Sequence, residues 1–143
     1  METLRRENYP AAPFDAAVGC SPMVKMGNRL FIGGTSATND RGDVEGGGDP
    51  YRQARIIFKK INLLLKNGGA ATRDVVRVRF YVTDIAYSQD CLKAYSEWFK
   101  DIKPTISLVE VAALARVDRL VEVEVEAFIG AYRTSRLTGQ GRM

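Results

Sequence analysis

Two rhythms of apolar residues alternate along this 143-residue chain. The segment MVKMGNRLFIGGTS, residues 23–36, holds two short strand-like runs around Gly27-Asn28, a pair that as a two-residue loop predicts a β-hairpin opening the fold. The turn-rich TNDRGDVEGGGDP follows and closes on Asp49-Pro50, an N-cap residue and a proline suited to the first helical position. A helix is expected from there, because Ala54, Ile57, Phe58, Ile61, Leu64 and Leu65 recur at three-and-four spacing until Asn67-Gly68-Gly69 stops it. In VVRVRFYVT, residues 75–83, the period changes to two: Val76, Val78, Phe80 and Val82 alternate with Arg77, Arg79, Tyr81 and Thr83, which predicts a strand. A second helix is predicted from Ser88 or Gln89 to Lys100, with Cys91, Tyr95, Trp98 and Phe99 on its apolar side and Pro104 barring its continuation. ISLVEV, from Ile106, and LVEVEVEAFI, residues 120–129, are the last strands. In the latter, Val121, Val123, Val125 and Ala127 face one way and Glu122, Glu124 and Glu126 the other.

The resulting order is β-β-α-β-α-β-β in one α+β domain. Two helices cover only one face of such a sheet. The other face presents Arg77, Arg79, Glu122, Glu124 and Glu126, and cross-strand charge pairing, solvated or buried in an oligomer, is its simplest explanation.

Composition narrows the class. With 45% apolar and 27% charged residues the chain suits one soluble globular domain that needs no staples. Cys20 and Cys91 stand alone without CxxC spacing, no N-terminal run resembles a signal peptide, and no stretch has the length of a membrane span, so a cytoplasmic protein is expected. The net charge of +4 sits mainly in Arg133, Arg136 and Arg142, leaving residues 10–130 with +1. This distribution fits a flexible basic tail beyond an ordered core of about 10–132, and nucleic acid is not an expected partner.

The chain contains no histidine, which removes Ser-His-Asp and Cys-His catalysis and HExxH zinc sites, while two isolated cysteines cannot build a four-thiolate zinc centre. Catalysis must use carboxylates, hydroxyls, backbone groups, lysines or arginines. The glycines at 46–48 lack the lysine and strand-to-helix setting of a phosphate loop and are read as a mobile loop.

Taken together, GNRLFIGGTSA, DPYRQARIIFKKINLLLKNGGAATRDVVRVRFYVTDI, AYSEWF, PTISLVEVAAL and LVEVEVEAFI resemble the RidA/YjgF family of reactive intermediate deaminases, formerly described as L-PSP endoribonucleases. The resemblance implies a chorismate-mutase-like sheet backed by two helices, a homotrimer with ligand clefts between subunits, hydrolysis of enamines or imines such as 2-aminoacrylate, and no cofactor or metal.

It also implies where the site lies. PTISLVEV aligns with the family pattern P-A-R-[ST]-x-V-E-V, so Pro104 and Thr105 take the first two positions, Ile106 stands where an arginine grips the substrate carboxylate, and Ser107 keeps the hydroxyl. Losing such a charge partner costs about 2 to 5 kcal/mol of binding. Glu122 matches the glutamate that positions the attacking water, Gly34 and Thr35 match the loop whose backbone approaches the ligand, and Phe14 replaces a tyrosine that closes the cleft. Arg79, Arg116 and Arg119 are alternative anion contacts, though each has an ordinary reading as a solvated or paired arginine. Ser107 has no base beside it in sequence and serves as well as a plain strand residue. Two functions follow: a hydrolase of an imine or enamine other than the usual 2-aminoacrylate, or a ligand-binding or regulatory trimer without catalysis. An endoribonuclease fits the composition least.

Overall fold

Helix α2, Pro50–Asn67, shows how closely local signals set the architecture. Asp49 caps it by accepting hydrogen bonds from the backbone N–H groups of Tyr51 and Arg52 at 3.0 and 3.3 Å. At its other end Gly69 takes φ +80, and the N–H groups of Gly69 and Ala70 donate to the carbonyls of Lys66 and Leu65, a Schellman closure that needs a residue tolerant of positive φ. Ala54, Ile57, Phe58, Ile61 and Leu65 are buried, while Leu64 is only partly covered.

The computed structural model describes residues 5–9 and 13–131, with Pro13, Phe14 and Asp15 described in backbone only. The expected basic tail lies outside the described residues. Within them the elements are β1 (Arg6–Asn8), α1 (Pro13–Val18), β2 (Met23–Met26), β3 (Arg29–Thr35), α2, β4 (Val75–Val82), α3 (Ser88–Phe99), β5 (Thr105–Glu110) and β6 (Val121–Phe128). The hairpin forms as expected: Met26 pairs with Arg29, and Gly27 in the loop takes φ +59. It is preceded, however, by β1, which adds to the sheet edge beside β2, and by α1. Three and six residues are too short for either period to emerge in the sequence.

The strands form one sheet in the order β1-β2-β3-β6-β4-β5. All neighbours are antiparallel except β4 and β5, whose parallel pairing requires the crossover that α3 provides. Helices α2 and α3 pack on one face. Their contact with the sheet centres on edge-to-face rings, Phe58 with Phe80 at 5.8 Å and Phe58 with Phe99 at 5.4 Å, with Tyr95 stacked on Phe99 at 5.1 Å. The buried valines of β6 complete this core, as alternation predicts.

The faces of β4 depart from expectation at one residue. Val75 pairs with Ala127 and Arg77 with Glu126, so the register slips between them; Val75 turns into the core and Val76 turns out, 37% exposed. From Arg77 onward the predicted alternation holds. The glycine loop also differs: instead of lying free it is tied down by Gln53, a fully buried side chain whose Nε2 donates to the carbonyls of Gly47 and Asp118 at 2.8 and 3.0 Å.

Candidate functional site

The face of the sheet turned away from the helices carries the charges. Arg79 on β4 stands opposite Glu124 on β6 and reaches both Glu124 at 3.2 Å and Glu126 at 3.6 Å, and Arg77 lies 3.6 Å from Glu126. Tyr81 donates a hydrogen bond to Glu124; that bond, with burial and the nearby negative charge, raises its hydroxyl pKa above the ordinary tyrosine value. The expected cross-strand pairing is therefore present. Arg77, Arg79, Glu124, Glu126, Phe31 and Val24 line a groove of about 260 Å³ on this face.

Glu122 lies at the end of the ladder, opposite Tyr81, and its surroundings are built by three separate elements. The first is a bulge in β3. Ile32 pairs with Val125 and Thr35 with Val123, so Gly33 and Gly34 together stand against a single residue of β6. The extra residue turns Thr35 inward, 8% exposed, with its hydroxyl donating to the carbonyl of Gly33 at 2.9 Å. It also brings Gly34 under Glu122: a β-carbon on Gly34 would come within 3.0 Å of both Cδ and Oε2 of that carboxyl group.

The second element is the turn before β6. Arg119 directs Nη1 toward Oε1 of Glu122 at 3.9 Å and donates from Nε to the hydroxyl of Thr38 at 3.2 Å. The third is α2, which fixes both supports. Lys60 donates to the carbonyls of Ser36 and Thr38 at 2.7 and 2.8 Å, and Gln53, besides holding Gly47 and Asp118, accepts from the N–H of Leu120 at 3.0 Å. The helix thus holds the segment bearing Thr38 and the turn bearing Arg119.

One chain brings together only part of the expected site. Glu122, Gly34 and Arg119 converge. Arg116 is engaged elsewhere, gripping Asp118 through two nitrogens at 3.2 and 3.1 Å and the carbonyl of Gly42 through a third contact. Arg79 is engaged in the ladder. On β5, Ile106 pairs with Val78 and Ser107 with Arg79, so Ile106 faces the helix side of the sheet and only Ser107 shares the face of Glu122. Even Ser107 is two strands and one pair away, on the order of 12 Å between backbones from strand spacing alone. The side chain of Phe14 lies outside the described residues.

Lys60, Thr38 and Gln53 were not anticipated as parts of this region. The signal existed for two of them: Gln53 and Lys60 are seven residues apart, polar members of a helical stripe otherwise occupied by Ile57 and Leu64. Among the described residues no three His, Cys, Asp or Glu side chains gather where they could hold a metal ion, and no helix is long and apolar enough to cross a membrane.

The profile of the family described as Endoribonuclease L-PSP matches residues 10–129. The chain belongs to the RidA/YjgF family. A RutC family protein of Pyrococcus abyssi is 30% identical over 119 residues, covering 83% of this chain and 88% of its own. The 3-aminoacrylate deaminase RutC of Acinetobacter baylyi is 27% identical over 120 residues, covering 84% and 90%. Among solved structures, a Mycobacterium tuberculosis member of the YjgF/YER057c/UK114 family superposes with a TM-score of 0.77 at 33% identity, covering 87% of this chain and all of that one. A Yersinia pestis protein of unknown function from the Rid family gives the same TM-score at 28% identity over the same shares. As a RidA/YjgF protein, this chain has the α+β fold that the apolar rhythm predicted.

Proposed function

We propose that this protein is a RidA-type hydrolase of a small imine or enamine, with Glu122 directing the water and a substrate other than the usual 2-aminoacrylate. The observation that carries the reading is the Glu122 carboxylate, held above the backbone of Gly34 by a bulge that leaves room for it. In a chain without histidine, a carboxylate is a ready general base near neutral pH. Water adds to the carbon of the C=N bond while Glu122 takes one of its protons. The proton passes to nitrogen, the C–N bond of the resulting carbinolamine breaks as its hydroxyl loses a proton, and ammonia and a carbonyl product leave. An enamine enters the same sequence after tautomerising to the imine. The 3-aminoacrylate deaminase activity of the Acinetobacter relative belongs to this reaction class.

The cleft is completed, in this reading, by a neighbouring copy in a homotrimer, because Ser107 and Ile106 do not reach Glu122 within one chain. Ile106 offers no charge to a carboxylate, so the arginine-anchored binding of 2-aminoacrylate is lost. That same residue favours the second reading, a ligand-binding trimer without catalysis.

The deciding experiment generates 2-aminoacrylate and a panel of other imines in the presence of the protein and follows carbonyl release. The expected outcome is little acceleration with 2-aminoacrylate, turnover of another imine that Glu122→Gln abolishes, and a gain on 2-aminoacrylate in Ile106→Arg. Fast 2-aminoacrylate turnover in the unaltered protein counts against the altered-substrate reading; absence of turnover across the panel, with ligand binding retained, selects the non-catalytic one. Light scattering should give about three times the 15.9 kDa chain mass.

A further inference from the structure

The geometry points to Arg119 as the group that receives the anionic end of the ligand, so that anion recognition comes from the turn before β6 instead of from β5. This inference rests on the hydrolytic cleft proposed above for its location beside Glu122. Of the arginines near the charged face, Arg77 and Arg79 are engaged by Glu124 and Glu126, and Arg116 by Asp118 and Gly42. Arg119 alone among these four is directed at Glu122, and its Nη2 has no hydrogen-bond acceptor among the described residues.

Its separation from Glu122, 3.9 Å, is longer than a hydrogen bond, so the pair is loose and the outer edge of the guanidinium stays available for a two-pronged contact with a carboxylate. About a fifth of the side chain is exposed, enough for a ligand to reach it. The group is also held before any ligand arrives: Thr38 fixes Nε, Lys60 fixes the segment bearing Thr38, and Gln53 fixes the turn on either side of Arg119. Such fixing lowers the ordering cost of binding.

The arrangement selects a ligand class: a small carboxylate-bearing imine or its keto product, whose carboxylate meets the open edge of Arg119 while its reacting carbon lies toward Glu122.

The test titrates 2-oxobutanoate and the uncharged 2-butanone into the full-length protein by NMR or calorimetry, for the unaltered chain and for Arg119→Gln, Arg119→Lys and Thr38→Val. The inference expects at least tenfold weaker 2-oxobutanoate binding in Arg119→Gln, a smaller loss in Arg119→Lys and Thr38→Val, and no change for 2-butanone. In turnover assays the Arg119→Gln loss should appear mainly in KM for carboxylate-bearing imines and spare uncharged ones. Less than a twofold change in 2-oxobutanoate affinity, an equal loss for charged and uncharged ligands, or no 2-oxobutanoate binding by the unaltered protein overturns it. Glu122-dependent turnover indifferent to Arg119→Gln sinks this inference and leaves the hydrolase reading intact. Arg119-dependent binding in a protein that turns over no imine does the reverse.

Discussion

Glu122 lies directly over Gly34: a β-carbon on Gly34 would stand 3.0 Å from Cδ and Oε2 of the carboxyl group, tighter than an ordinary contact. Since the atoms met are the far end of a flexible side chain, Gly34→Ala should change stability by less than about 1 kcal/mol, the ordinary scale for glycine against alanine in a strand. Turnover should fall by a factor of several up to about 10, because the carboxyl group must give by a few tenths of an ångström and a misplacement of about 1 Å costs on the order of 100-fold. Urea unfolding and imine-hydrolysis rates on the same preparation check both halves; an unchanged rate removes Glu122 from the chemistry.

Lys60 shows how the helix layer supports the site from behind. Lys60→Met keeps an unbranched stem of similar length on α2 but leaves the carbonyls of Ser36 and Thr38 without its ammonium donor. The expected cost is about 1 to 3 kcal/mol in urea unfolding. Activity should fall further than stability alone explains, since Thr38 is the acceptor that holds Arg119.

Cys91 gives the fold a dependence on alkaline pH. Its thiol is fully buried, and burial, with Asp90 nearby, pushes its pKa up from 9.0 to about 12. The native state thus retains a proton that the unfolded chain gives up, so this contribution is complete below pH 9 and declines as pH rises from 9 toward about 12. Thermal unfolding across that window should show a shallower decline in Cys91→Ala than in the unaltered chain. In native protein at pH 8, a thiol reagent should modify exposed Cys20 and reach Cys91 only after unfolding.

Lys103 lies just before β5 with φ +60, a conformation that costs an L side chain about 1 to 2 kcal/mol. Lys103→Gly should raise the unfolding free energy measured in urea, by up to about 1 kcal/mol after the glycine's greater unfolded-state entropy is subtracted. Lys103→Val should lower it by 1 kcal/mol or more, because a β-branched residue tolerates this region least.

The predictable parts of the molecule are those whose cause is local. The caps of α2, the Gly27-Asn28 turn and the two-residue rhythm of β6 act within a few positions of themselves, so the sequence displays them and the structure keeps them. Val76 escaped because a bulge is a property of two paired strands: nothing in VVRVRF states that β4 slips by one residue against Ala127. The bulge at Gly33-Gly34 escaped for the same reason, and with it the inward turn of Thr35 and the seat of Glu122.

The chain by itself determined its α+β element order, its family resemblance, the absence of histidine chemistry and the isoleucine at position 106. Only the tertiary structure decided that Glu122 belongs with Gly34, Arg119 and Thr38, that Arg116 is held by Asp118 and Gly42, and that adjacent Ile106 and Ser107 lie on opposite faces of the sheet. Residues 34 and 38, residue 60, and residues 119 and 122 come from three segments distant along the chain, and their meeting depends on strand register and on the side chains that α2 extends beneath them. Those relations are set by pairing and packing between distant segments, which no local pattern encodes.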